Sequence, residues 1–310
     1  MQEAGLNIIL PVFAILVAGF IAGRARILPE TSSQVLSQFV FYVSLPALIF
    51  VSLSRVSPAE FFNWSYIAVI GGGMLAMFII GCVIARSAFS NEVTPMAMHG
   101  LAAMYSSTAY IGLPLVLTIF GEAALVPGII GAIITGAVFA PLAIVIAEFD
   151  SRASEKRHFS RSLLMIFTRP PVLATVAGLL VSAIGFSVPP AAVTFFEMLG
   201  GAFVPCALFA AGLFISACNL RGLGAEVGWL LLAKLILHPL ITWWLAYEVF
   251  ELEGILPAVA VVQAALPTGV PVFILAQQYR SFVVRSSSVI AISTALSVVT
   301  LTLLLLLLEG

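Results

Sequence analysis

Charge is what this sequence has least of. Only 9% of its 310 residues are Asp, Glu, Lys or Arg, against roughly a quarter in a water-soluble globular chain. Too few polar side chains remain to cover a soluble surface, so a water-soluble domain is excluded. Disorder is excluded as well, since unfolded chains are highly charged and poor in hydrophobic residues, whereas 62% of this one is hydrophobic. Aspartate occurs once, at Asp150, which removes paired-aspartate chemistry within a membrane. No GxSxG, HExxH or GxxxxGK[ST] stretch is present, so hydrolase, zinc-protease and nucleotide-driven pump chemistries lack their starting residues. The cysteines, Cys82, Cys206 and Cys218, sit in apolar surroundings without CxxC or Cys/His spacing. They read as packing residues, and no metal or other cofactor is expected. With only 13 Lys and Arg, nucleic acid is not an expected partner.

What the chain does have is long apolar runs. A bilayer core of ~30 Å takes about 20 helical residues to cross. Ten runs qualify, near residues 6–23, 34–54, 64–85, 95–120, 125–147, 170–186, 191–217, 226–248, 254–279 and 286–308. The expected fold is therefore an all-α polytopic membrane protein of ten transmembrane helices. The amino-terminal run does not read as a secretory signal, because Arg24 and Arg26 follow it instead of preceding it.

Charge placement orients the spans. With ten of them, one side carries Arg24, Arg26, Arg86, Arg152, Lys156, Arg157, Arg161, Arg169, Arg221, Arg280 and Arg285, and the other Arg55 alone. Basic residues resist translocation, so the eleven mark the cytoplasm and both termini are expected outside it. The expected location is the cell (inner) membrane. Residues 149–162, FDSRASEKRHFSRS, form the one substantial connection and read as a cytoplasmic linker. It joins a first five-helix unit, 1–148, to a second, 163–310.

The two units repeat. Pro11-Val12 recurs as Pro171-Val172 and Leu28-Pro29 as Val188-Pro189, each 160 residues on. Leu45-Pro46-Ala47-Leu48-Ile49-Phe50 recurs as Val204-Pro205-Cys206-Ala207-Leu208-Phe209, and Gly112-Leu113-Pro114 as Gly269-Val270-Pro271. Five spans is an odd number, so the second copy enters the membrane inverted, an arrangement characteristic of secondary transporters.

Two spans at matching places are interrupted. The fourth contains Ser106, Ser107, Thr108, Gly112 and Pro114, and the ninth contains Gln263, Pro267, Thr268, Gly269 and Pro271. Proline removes a backbone donor and clashes one turn back. Unwound backbone survives in a membrane only inside protein or against a wet cavity. The two broken helices are expected to cross, with half-helix N-termini near Pro114 and Pro271 directing positive dipole ends at an anion. The hydroxyls of Ser106, Ser107 and Thr268 and the amide of Gln263 add hydrogen bonds. All ten residues named from these two spans are the expected substrate-binding set.

FYVSLPALIF, TAYIGLPL, KLILHPL and QAALPTGVPVFILAQQY resemble the auxin efflux carrier family, which includes plant auxin exporters and bacterial malonate or malate carriers. The resemblance runs along nearly the whole chain. It implies the inverted-repeat fold shared with sodium–bile acid symporters, in which a scaffold of helices 1, 2, 6 and 7 flanks a transport core of helices 3–5 and 8–10. It further implies a homodimer through the scaffold and an elevator-like movement of the core. Family members commonly carry Asn five residues before the first crossover Gly, where this chain has Ser107.

A charge at mid-membrane costs about 2.5–3.5 kcal/mol, so Lys234 and His238, one turn apart in the eighth span, need a task. They are expected to compensate a substrate carboxylate or tune a proton site, and Gln263 to meet substrate or a coupling cation. His99 and Glu197 are weaker candidates. The expected function is secondary active transport of a small organic anion coupled to H+ or Na+. The alternatives are a passive channel, a sensor of the same fold and an intramembrane enzyme. Alkaline phosphatase fused after Gly310 is expected to be active and a green fluorescent protein fused there dark; a bright fusion would invert the orientation.

Overall fold

The computed structural model describes residues 2–29, 31–90, 92–139, 141–142, 146, 168–218 and 224–308. The linker expected at 149–162 lies outside the described residues. Regular structure among the described residues is helical, apart from a single isolated bridge. The first half comprises α1 (Gln2–Arg24), α2 (Ser32–Phe39), α3 (Leu45–Leu53), α4 (Pro58–Phe61), α5 (Trp64–Ile84), α6 (Val93–Met104), α7 (Leu113–Phe120) and α8 (Leu125–Ile133). The second comprises α9 (Pro170–Ala183), α10 (Pro190–Gly201), α11 (Phe203–Ser216), α12 (Ala225–Leu232), α13 (His238–Trp244), α14 (Leu256–Ala265), α15 (Pro271–Gln278) and α16 (Val283–Leu308).

Helix starts follow local chemistry. Asn63 caps α5 by accepting the Tyr66 N–H at 3.0 Å, which satisfies one of the first-turn donors. Proline occupies the first turn of α9, α10, α14 and α15, where its missing N–H is no loss. Gly121 follows α7 at φ 69°, a backbone state that side chains resist.

Pro11 lies inside an unbroken α1, but three other prolines within spans follow a second rule. Pro46, Pro114 and Pro239 each stand two residues past a π-helical turn, at Val40–Ser44, Thr108–Gly112 and Ala233–Leu237. A proline ring clashes with the carbonyl one turn back and cannot bond to it. The wider turn takes up the mismatch, so the helix continues instead of ending. Such turns favour functional positions, and the third of them carries Lys234.

Among the described residues, six helical stretches are long and apolar enough to cross a membrane: 32–53, 58–89, 108–139, 190–216, 225–249 and 283–308. Large apolar side chains such as Leu10, Ile21, Val35, Leu173, Phe195 and Leu307 stand exposed, an outer surface suited to lipid rather than water. These features describe an integral, multi-pass membrane protein.

Two packing groups are visible. In one, α1 lies along α11, α9 and α10 lie against α3, and α11 contacts α2. In the other, α5 packs on α6, α13 and α14, while α14 also meets α8 and α16. Contacts of α1 with α7 and α16, and of α11 with α7, join the groups. The α1–α11 seam depends on missing side chains: a Cβ at Gly212 would overlap the Leu16 carbonyl and one at Gly19 the Phe209 carbonyl. Gly212→Ala is therefore expected to cost about 1–3 kcal/mol, read as a lower melting temperature in detergent with no change in helix content.

Candidate functional site

Helix α6 stops at Met104 and leaves Tyr105 and Ser107 at ψ 99° and 49°. Helix α14 stops at Ala265, and Leu266–Val270 is unwound before Pro271 opens α15. The two unwound stretches meet as a minimal antiparallel pair centred on Ser106 and Thr268. Ser107 N–H donates to the Pro267 carbonyl at 2.9 Å, and Gly269 N–H donates to the Tyr105 carbonyl at 3.0 Å. Each break thus satisfies the backbone that the other exposes, which apolar surroundings demand. Side chains interlock reciprocally as well. Leu266 of the second break lies against Gly112, where a Cβ would overlap it, and the Tyr105 ring lies 2.8 Å from where a Gly269 Cβ would stand.

One expected position is corrected. The second half of the first interrupted span begins at Thr108, not near Pro114. Pro114 instead lies within the continuing half-helix, because the π turn Thr108–Gly112 accommodates it. The Gly-Leu-Pro and Gly-Val-Pro motifs are therefore not equivalent in place: the first follows its break, and the second begins inside its own. Neither half-helix start receives a side-chain cap from Ser107 or Val270. After Ser107 the N–H groups of Thr108, Ala109 and Tyr110 remain for another acceptor, whereas at the second start Pro271 has no N–H and the Val272 and Phe273 N–H groups donate to the Gly269 and Val270 carbonyls.

The hydroxyls divide their work. Ser106, Thr108, Gln263 and Thr268 are buried, and Ser107 keeps 7% exposure. Thr268 Oγ1 donates to the Ala102 carbonyl at 3.1 Å, and Thr268 N–H donates to Ser293 Oγ at 3.1 Å. Ser106 Oγ accepts from Lys234 Nζ at 2.8 Å. Lys234 also donates to the Ala264 carbonyl at 2.6 Å and lies 3.0 Å from His238 Nδ1. Lysine near the last turn of α14 complements the negative end of that helix. Lys234 and His238 are thus brought to the crossing itself, from a π turn set by Pro239.

Gln263 is turned toward another neighbour. Its Nε2 donates to the Gly128 carbonyl at 3.1 Å, and its carboxamide fills the space over Gly131, where a Cβ would overlap it. Its Oε1 accepts no hydrogen bond among the described residues. His99 and Glu197 lie apart from the crossing's hydrogen bonds. Glu197 forms an exposed ion pair with Arg55 at 2.7 Å, of small energetic weight. His99 is buried, 3.1 Å from Glu226, which Arg285 also holds at 2.7 Å. Phe89 stacks on the His99 ring.

Sequence reasoning passed over Ser293, Tyr105 and the Gly128–Gly131 pair. Ser293 had a visible signal, since Ser286, Ser287, Ser288, Ser293, Thr294 and Ser297 interrupt an otherwise apolar helix, all of them buried. The other two had none, because their roles depend on what lies across the crossing.

Residues 5–305 match the family described as membrane transport protein. A protein of Rhizobium meliloti named "Putative malonate transporter" is 31% identical over 98% of this chain and 96% of its own length. The Escherichia coli protein named "Uncharacterized transporter YfdV" is 25% identical, with 94% of each chain covered. An "Uncharacterized transporter" of Methanothermobacter thermautotrophicus is 27% identical over 95% of each chain. This chain belongs to the membrane transport protein family, that of the auxin efflux carriers. It is a membrane transporter and not an enzyme.

In this family member several close approaches lie at or beside the crossing, at Gly112, Gly128, Gly131 and Gly269. Gly131→Ala, which puts a methyl group into the Gln263 carboxamide, is expected to destabilise the fold by about 1–3 kcal/mol. The measurement is the melting temperature of purified protein, and an unchanged value would mean that Gln263 is free to move away.

Proposed function

We propose that this transporter is a secondary carrier of a small organic anion, a carboxylate of auxin-like or malonate- or malate-like kind. The anion sits at the crossing of the two interrupted helices. The observation that carries this reading is the reciprocal main-chain pairing of Tyr105–Ser107 with Pro267–Gly269. That pairing leaves two half-helix starts, at Thr108 and Pro271, without side-chain caps. Their partial positive charge, roughly half a charge each, and the first-turn N–H groups of Thr108–Tyr110 suit a carboxylate. The uncapped Ser107 hydroxyl and buried Lys234 add a donor and a positive charge close by. The name of the Rhizobium meliloti relative points toward a dicarboxylate.

In this reading the chain has ten spans in two inverted five-helix repeats, the first ending near residue 148 and the second beginning near 163. Both termini lie outside the cytoplasm, in the inner membrane. The contacts support the repeat: α1 with α11, and α9 with α3, are the same pairing carried out by opposite copies. The α1, α2, α3, α9, α10, α11 group is the scaffold, which also forms a homodimer, and the second group is the core. Movement of the core along the scaffold carries the anion across as an elevator, driven by an ion gradient.

The test is flux in proteoliposomes with radiolabelled malonate, malate and indole-3-acetate. Saturable flux of at least one is expected. Ser107→Ala, which removes a donor to a charged group worth about 1.5–3 kcal/mol, is expected to raise the half-saturating concentration roughly 10- to 100-fold without lowering the melting temperature. Unsaturable flux would indicate a channel, and an unchanged half-saturation would remove Ser107 from the site.

A further inference from the structure

Lys234 and His238 are almost wholly buried, with Nζ 3.0 Å from Nδ1. Nζ also reaches Ser106 Oγ at 2.8 Å and the Ala264 carbonyl at 2.6 Å. An ammonium has three N–H donors, and here it meets three acceptors. The arrangement therefore satisfies Lys234 when charged, with His238 neutral and its Nδ1 lone pair toward Nζ. The uncharged amine keeps the same contact, because it then offers a lone pair to which His238 donates from Nδ1–H. With both groups charged, two donors would face each other with no acceptor between them. The pair thus has two hydrogen-bonded states, neutral and singly positive, that differ by one proton.

Among the described residues no acid is bonded to the pair to balance the positive state. The acidic partners found among the described residues are elsewhere: Arg55 holds Glu197, and His99 and Arg285 hold Glu226. On the elements packed around the pair, the titratable or charged groups are Tyr66 and Cys82 of α5, His99 of α6, Glu226 of α12, Arg285 of α16, and Tyr247 and Glu248 after α13, with Tyr105 in the first break. Helix α14 carries none. Tyr66 donates to the Pro127 carbonyl, and among the described residues none of these groups hydrogen-bonds or ion-pairs with Lys234 or His238. A buried charge without a partner is costly, and the C-terminal ends of α6 and α14, about half a negative charge each, offset part of that cost. An anion at the crossing adds a full negative charge.

We propose that the Lys234–His238 pair is the coupling site of the carrier. It takes one proton from the water of the loading side as the anion binds, and returns it to the other side as the anion leaves, so that each anion travels with a proton. This rests on the crossing being the anion site. Because the coupling is reciprocal, the anion favours the protonated pair by the factor with which the proton favours anion binding. Anion affinity must then fall as pH rises.

The experiment uses the full chain in liposomes that hold a pH-sensitive dye, with equal potassium on both sides and valinomycin to keep the voltage near zero. It is run above about pH 7, where the carboxyls of malonate, malate and indole-3-acetate are ionised. Internal acidification by one proton per anion carried is expected, with a half-saturating concentration that rises up to about tenfold per pH unit. Lys234→Arg, which stays charged throughout, is expected to flatten that profile and abolish the acidification. If that variant does not fold, the proton-to-anion ratio of the unaltered chain decides the matter. Anion flux without proton entry, or a half-saturation flat from about pH 7 to pH 9, overturns this proposal and leaves the carrier reading standing. Absence of flux for all three anions overturns the carrier reading and this inference with it.

Discussion

Backbone that leaves a helix inside an apolar interior must find partners, and in this protein two such stretches find each other. Ser107 and Gly269 donate across the crossing to Pro267 and Tyr105, so neither break could persist in its present form without the other. Leaving such groups unsatisfied would cost several kcal/mol each in hydrocarbon. The rest of the second packing group is arranged around this requirement. Thr268 is held from both sides by Ala102 and Ser293, and Lys234 ties the Ser106 hydroxyl to the end of α14.

Proline has two distinct effects in this chain. At Pro267 and Pro271, close together and with Gly269 between them, it helps to unwind the chain. At Pro46, Pro114 and Pro239 a preceding π turn absorbs the clash and the helix goes on. The difference is physical, since one extra residue in a turn removes one proline's conflict with the carbonyl behind it, whereas two prolines four apart leave no complete turn between them for such a correction. The same device that preserves the helix at Pro239 sets Lys234 and His238 on the face that meets the crossing.

Close approach is the second recurrent constraint. Leu266 over Gly112, Tyr105 over Gly269, Gln263 over Gly131, and the Leu16 carbonyl over Gly212 all require a missing Cβ. Helices in a membrane gain little from hydrophobic burial against one another, so close packing over small residues and buried hydrogen bonds carry the association. Gln263 combines both, since its carboxamide fills the glycine recess and bonds to the Gly128 carbonyl. It acts there as a tie between α14 and α8.

The membrane class, the helical content and the place of the second break were legible from the residues alone, because hydrophobic run length, scarce charge and the spacing of Pro267, Gly269 and Pro271 act locally. The first break was read within Ser106–Pro114, but its half-helix was expected to start near Pro114 and starts at Thr108, since the sequence does not reveal whether a proline will end a helix or sit behind a wider turn. Its actual position at Tyr105–Ser107 depends on the second break lying opposite with acceptors to offer. The neighbours of Lys234, Gln263 and Ser293 were likewise decided by tertiary structure, because each bonds to a residue at least 25 positions away and side-chain identity alone does not say what will stand across an interface.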